Sequence, residues 1–158
     1  MEALEAADRT SLSSEHVFHA ACRDVAEATG ANRVSIWDFS DRRDSVHCVC
    51  FYDASTDSFT KGQVLTAEDL PTYFRVILKE KYIVAPDARS HAATAELVDP
   101  YFRDHDIYSL LDFIIHENFK PIGVICCENA GAIRDWQEED ISYLRQISTL
   151  ISFRLKRS

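Results

Sequence analysis

The stretch that most constrains this chain runs from Ile107 to Gly131, IYSLLDFIIHENFKPIGVICCENAG. Two apolar runs, Ile107–Ile115 and Ile122–Cys127, flank a short polar turn at Glu117–Lys120. Their length and their content of Ile, Val, Phe and Cys predict two strands of a β-hairpin. Neither run alternates cleanly with polar residues, so both faces of the hairpin must be covered, and it is read as the centre of a sheet with helices packed on it. Two acids interrupt the apolar pattern, Asp112 in the first run and Glu128 at the end of the second. A carboxylate in a buried strand needs a partner, from the protein or from a ligand.

The rest of the chain supplies what such a sheet needs. Ser14 is read as the N-cap of a helix over 15–29, with Val17, Phe18, Ala21, Cys22, Val25 and Ala28 at helical spacing and Gly30 as terminator. Strands follow at Arg33–Phe39 and Ser45–Tyr52, joined by the charged turn Asp41–Asp44, with a short edge strand at Gln63–Leu65 after a polar loop over 53–62. A helix over 68–80 carries Pro71 in its first turn with Asp69 as cap, and Lys81–Ala85 is a short strand. A further helix is read over 92–104, broken or kinked at Pro100, and a closing helix over 137–156 presents Ile141, Leu144, Ile147, Ser148, Ile151 and Leu155. Local hairpins at both ends of this order define an antiparallel sheet and the α+β class. Residues 1–13 are read as a lead-in to one domain over 14–158.

Composition excludes several functions. The net charge of −9 with no basic patch speaks against nucleic acid and anionic membrane surfaces. No run approaches the ~20 apolar residues of a membrane span, the N-terminus has no signal-peptide core, and five cysteines without a CxxC pair fit a reduced, cytoplasmic protein. Cys48 and Cys50 are read as sharing one strand face, and Cys126 and Cys127 as pointing to opposite faces. His16 and His19 lie three apart on the first helix without an acidic co-ligand, and His91 and His105 flank a middle helix, so no metal site is assigned.

Asp112 and Glu128 are candidates to hold an amine, a guanidinium or a nucleobase edge. The aromatic residues Tyr73, Phe74, Tyr101 and Phe102 on the middle helices, with Trp37 on the first strand, are candidates to wall an apolar pocket. Each has a plainer reading, as an internally paired acid or as a packed core residue.

Five segments in order, ANRVSIWDF, the Tyr52–Gly62 segment, DLPTYFRVILKEKYIVAPDA, the central hairpin and RDWQEEDISYLRQISTLIS, resemble a GAF domain, the small-molecule sensor module of bacterial signalling proteins. The resemblance covers residues 15–156. It implies a central antiparallel sheet of five to six strands, with the first and last helices on one face. Pocket helices and loops lie on the other, where Asp87 of the Asp-Ala bend joins the candidate ligand-binding set. Asp112 is placed next to the pocket, with either a ligand or the loop around Asp87–His91 as its partner, and Glu128 is the weaker of the two acids. The resemblance further implies a non-catalytic sensor that dimerises through its terminal helices and continues past the sequence FRLKRS into an output domain such as a histidine kinase of a two-component system or a diguanylate cyclase. No Asn-Lys dipeptide of the cyclic-nucleotide branch is present, and the sole Cys–His neighbours, His47-Cys48, stand in the reverse of the order used for bilin attachment, so no cofactor is named. The alternatives are an enzyme of the free methionine sulfoxide reductase type and a purely structural dimerisation module with a collapsed pocket.

Overall fold

The computed structural model describes residues 13–155; most of the expected lead-in lies outside them. Helix α1 (Ser14–Thr29) is capped by Ser13, whose side chain accepts from the His16 N–H, and Gly30 closes it with φ 75°. Its buried face is Val17, Phe18, Ala21, Cys22, Val25, Ala26 and Thr29, so Ala28 turns outward and Ala26 inward. Strands β1 (Arg33–Phe39) and β2 (Ser45–Asp53) form an antiparallel pair. The short strands β3 (Ser58–Thr60) and β4 (Val64–Thr66) both pair with β2, followed by helix α2 (Pro71–Ile77) and strand β5 (Tyr82–Ala85). Strands β6 (Ile107–Glu117) and β7 (Lys120–Ala130) form the central hairpin, and helix α3 (Glu138–Ser152) closes the chain.

The sheet runs β3-β2-β1-β7-β6-β5, with β4 beside β3 on the same edge of β2. The α+β class, the antiparallel sheet and the two covered faces are as the sequence led us to expect. The strand count reaches seven because the polar segment after Asp53 turns back through Asp57, at φ 48°, and lays Ser58–Thr60 on β2. Helix α2 is shorter than its apolar pattern. Pro71 takes the first position, Leu70 replaces Asp69 as N-cap, and the Tyr73 N–H is received at 2.6 Å by the Glu96 side chain. Around Pro100 the expected helix is a 3₁₀ turn (Ala95–Leu97) running into a single π turn (Val98–Phe102), closed by Arg103 N–H to the Val98 carbonyl at 3.0 Å.

Two cores lie on the two faces of the sheet. On one, Val34, Ile36, Leu111, Ile125 and Cys127 pack against α1 and the Leu144, Ile147 and Ile151 stripe of α3. On the other, Trp37, Phe39, Leu110, Ile114 and Val124 pack against Tyr73, Phe74 and Ile77 of α2 and Phe102. Cys48 and Cys50 do not share a face. The β1–β2 register shifts between Ile36 and Trp37, which pair with Cys50 and Cys48, so Val49 is an extra residue. The bulge turns Cys50 toward the terminal helices and leaves Cys48 on the other side.

Close approach singles out Gly123 of the central hairpin, and backbone sign singles out its two turn residues. At Gly123 an added Cβ would meet the Trp37 carbonyl oxygen at 2.7 Å and Leu155 Cδ1 at 2.6 Å. The backbone oxygen cannot swing aside. At the turn, Asn118 and Phe119 both have positive φ, 52° and 65°, as a two-residue I′ connection requires, and Phe119 is fully exposed. Two opposite outcomes are expected in urea unfolding. Gly123→Ala destabilises by about 1–3 kcal/mol through overpacking. Phe119→Gly stabilises by about 0.5–1 kcal/mol, the relief of a left-handed Phe exceeding the added freedom of the unfolded chain.

Candidate functional site

A cavity of about 430 Å³ opens on the sheet face opposite the terminal helices. Its floor is built by strand parity. Trp37 on β1, Phe51 on β2, Leu110 on β6 and Cys126 and Glu128 on β7 all reach it. Tyr73 of α2, Leu97 of the 3₁₀ turn and Tyr101 of the π turn close it from above, and Ser58, Thr60, Gln63 and Leu65 of the β3–β4 edge line its side.

The polar centre of the cavity is a triad. Arg33 opens β1 directly across from Glu128 on β7. The Arg33 Nε donates to Glu128 Oε1 at 3.0 Å, the Tyr101 hydroxyl donates to the same oxygen at 2.7 Å, and Arg33 Nη2 donates to the Tyr101 hydroxyl at 3.0 Å. The guanidinium also lies over the Phe51 ring, 4.7 Å from its centre. Arg33 and Glu128 are only 14% and 6% exposed, so neither charge is screened by water and each depends on the other. Burial pushes the Glu128 carboxyl above the usual range, against the pull of Arg33 and the Tyr101 hydrogen bond. Burial likewise lifts the Tyr101 hydroxyl, with the Glu128 charge adding to it, so the phenol keeps its proton and remains a donor.

The eight residues singled out from the sequence fall into three groups. Trp37, Tyr73, Tyr101 and Glu128 line the cavity together. Asp112 lies on the same face, fully buried, with Oδ2 accepting from the Tyr73 hydroxyl at 2.5 Å. Its partner is thus a residue of α2 and not the Asp87–His91 loop, and its Oδ1 has no hydrogen-bond partner among the described residues. Phe74 and Phe102 are fully buried in the packing of that face, and Asp87 sits in an exposed bend whose carbonyl accepts from the Ser90 and His91 N–H groups. Sequence reading placed His105 beside a middle helix without a role, and it missed Arg33, Phe51, Asp53 and Leu97, among others, as lining residues. For Arg33 the signal was a basic residue opening one apolar strand and an acid ending another. Only the pairing of β1 with β7 brings the two together.

Among the described residues no group of three His, Cys, Asp or Glu side chains comes together as a metal site. All five cysteines are buried and free. Burial pushes Cys48 up to about 12 and raises Cys126, the one cysteine lining the cavity, well above the usual thiol range.

The GAF domain family model matches residues 13–155, and the chain belongs to that family. Among curated proteins no relative matches the sequence. The fold is similar to the GAF domain from Acinetobacter phosphoenolpyruvate-protein phosphotransferase at 17% identity, covering 97% of this chain and 87% of that one with a TM-score of 0.75. It is equally similar to the phycocyanobilin-bound GAF domain from a cyanobacterial phytochrome, at 17% identity, 95% and 88% coverage and a TM-score of 0.75. The chromophore-binding domain of Stigmatella aurantiaca bacteriophytochrome aligns at 13% identity and a TM-score of 0.72 over 96% of this chain. This chain spans 58% of that domain and 36% of the photosensory core module of Stigmatella aurantiaca phytochrome.

The buried acids give the site a pH signature. Burial lifts Asp112 to about 6, against the Tyr73 hydrogen bond, so the folded chain holds this proton more tightly than the unfolded chain does. Native protein then binds more protons than unfolded protein between roughly pH 4 and 6, and stability rises as the pH falls through that window. From Asp112 alone, wild-type protein should gain about 2 kcal/mol in urea unfolding between pH 7 and 4.5. Asp112→Asn should lose its share of that slope while retaining the contribution of Glu128, whose shift has the same sign. A variant with the full wild-type slope would refute the assignment.

Proposed function

We propose that this chain is a non-catalytic sensory domain that binds a small molecule in the cavity and relays occupancy through its terminal helices to an output domain. The observation that carries the reading is a buried, hydrogen-bonded Arg33–Glu128–Tyr101 triad beneath aromatic walls, in a cavity large enough for a small organic molecule. Apolar enclosure with a few fixed polar groups is what selective retention of such a molecule requires. Trp37, Tyr73, Tyr101 and Glu128 are its contacts, with Asp112 setting Tyr73 from behind. Phe74, Phe102 and Asp87 act, on this reading, through packing and loop shape.

Strand β3 supports the relay. Ser58 and Thr60 line the cavity, while Phe59 between them stacks on His19 of α1, rings 3.9 Å apart and nearly parallel. The Arg23 guanidinium of α1 lies 4.9 Å from the centre of the Phe59 ring and pairs with Asp57 at 3.3 Å, and Asp57 also accepts from the Tyr52 hydroxyl. A three-residue strand with alternate residues on the ligand and on the helix gives a molecule in the cavity a short mechanical path to α1. The half-buried Ile141, Tyr143 and Leu150 on α3 and the exposed Phe153 after it support homodimerisation on the helical face. The acidic net charge speaks against nucleic acid, and among the described residues no helix is long and apolar enough to cross a membrane. We place the domain in a cytoplasmic bacterial signalling protein, of the two-component or diguanylate cyclase kind.

The elevated thiols weigh against the methionine sulfoxide reductase reading, which needs accessible thiolates. The open cavity beside Trp37 and Tyr73 weighs against a purely structural module. Native mass spectrometry of purified protein tests the proposal. It should show one co-purified small molecule per chain, at wild-type occupancy in Phe59→Ala and depleted in Trp37→Ala. Removing that molecule should change amide exchange along α1 in wild type but not in Phe59→Ala. An empty wild-type protein that no metabolite stabilises thermally would refute the sensor reading.

A further inference from the structure

The charges around the cavity sort ligands by sign. Its acidic and basic lining groups are Arg33, Glu128, Asp53 and His105, since burial keeps Tyr73, Tyr101 and Cys126 protonated and neutral. Arg33 is already engaged with Glu128 at 3.0 Å in a buried pair, and it cannot compensate a second anion without releasing the first. Asp53 adds a further negative charge at the lining, Asp112 stands behind Tyr73, and the whole chain carries −9. An entering carboxylate or phosphate loses its hydration and meets like charge.

The hydrogen-bonding groups sort ligands by polarity. Glu128 Oε1 is occupied by Arg33 and Tyr101, and the Tyr101 hydroxyl is used both as donor and as acceptor. Among the described residues the hydrogen bonds to Glu128 both go to Oε1, and Oε2 is not among the sealed, unpartnered side-chain atoms, so it is open to a donor from the cavity. An ionised carboxylate is an acceptor only, so what this oxygen can take from a ligand is a donor. The walls sort ligands by shape, since Trp37, Phe51, Tyr73 and Tyr101 are all aromatic and leave flat apolar surface on several sides.

Resting on the small-molecule reading above, we propose that the cavity takes a planar mono- or bicyclic nitrogen heterocycle, neutral or singly protonated, which donates an N–H or amino hydrogen to Glu128 Oε2 and lies against the aromatic walls. Arg33 and Tyr101 are positioning residues here. Their two hydrogen bonds to Oε1 fix the carboxylate plane and leave one acceptor for the ligand. Anionic aromatics of the same size are disfavoured, because the guanidinium is already paired with Glu128 and Asp53 adds a second carboxylate against the single imidazole of His105.

Ring-matched probes test this without knowledge of the native ligand. Purified protein, stripped of any co-purified molecule, is titrated with 2-aminobenzimidazole, which has a donor edge, with quinoline, which has no N–H, and with 2-naphthoate, an anion. Tryptophan fluorescence and calorimetry read the binding. The aminobenzimidazole should bind saturably and at least about tenfold tighter than either other probe, as a charge-assisted hydrogen bond implies. Glu128→Gln should reduce that preference to below about threefold. Should this variant fail to fold, the ranking of the three probes on wild-type protein decides alone. Equal or tighter binding of 2-naphthoate, or a preference unchanged in a folded Glu128→Gln protein, overturns the heterocycle assignment while the small-molecule reading stands. Failure of all three probes in a protein that does co-purify with a molecule has the same meaning. Failure of all three in a protein that never carries one and that no metabolite stabilises thermally removes both.

Discussion

The pairing of β1 with β7 is the contact on which the rest of the molecule depends. These strands lie almost a hundred residues apart in sequence, and their register sets Arg33 opposite Glu128, Ile36 opposite Ile125 and Trp37 opposite Val124. It joins the N-terminal hairpin to the C-terminal one, so that a six-strand path with β4 at its side becomes one sheet. It also brings α1 and α3 onto a common face, because each helix returns over the strand next to it. Without this long-range pairing there are two hairpins, each with an uncovered apolar face, and a lone hairpin is at best marginal in water. The Arg33–Glu128 bond sits at one end of the pairing and acts more on register than on net stability. Desolvating both charges consumes most of what their attraction returns, but a one-residue slip would leave each buried alone.

Much of this fold was legible because its physics is local. The helical spacing of α1 and α3, the Gly30 stop and the doubly covered apolar hairpin each state their structure in a few consecutive residues. What the sequence concealed was set by partners far away. The bulge at Val49, which separates Cys48 from Cys50, arises in the pairing of β1 with β2 and leaves no trace in the run SVHCVCFY. Strand β3 reads as loop because its three residues, Ser58, Phe59 and Thr60, gain their structure from β2. Helix α2 receives a cap from Glu96, more than twenty residues on, so Asp69 is not needed.

The site was legible in the same uneven way. Acids inside apolar strands announce themselves, and the aromatic residues before β6 do too. The ranking of the two acids rested on distance from the strand end, and burial depth follows a different rule. Asp112 lies mid-strand beneath α2 and is sealed by Tyr73, whereas Glu128 lies near the end of β7 where the covering layer is the looser 3₁₀ and π segment. Being near the strand end is therefore what puts Glu128 at the cavity.

A protein can leave such a cavity open only if its stability is secured elsewhere. Here the sheet separates the two demands. The face under α1 and α3 is filled by a continuous apolar core, while the opposite face carries the cavity, an unpaired Asp112 oxygen and two acids shifted by burial. Each of these costs stability, and a filled core on the same face would remove the room for a ligand. Tyr73 bridges the two requirements on the cavity side, since its ring lines the open volume and its hydroxyl satisfies one oxygen of the buried carboxylate. On the proposed reading, signal transfer needs an element that belongs to both faces. The strands of the sheet interior are each bonded on two sides, which opposes their displacement. Strand β3 is bonded on one side only, is three residues long, and touches the cavity with Ser58 and Thr60 and helix α1 with Phe59. On the proposed reading it is the edge strand, not the central hairpin, that has both the contacts and the freedom to report what the cavity holds.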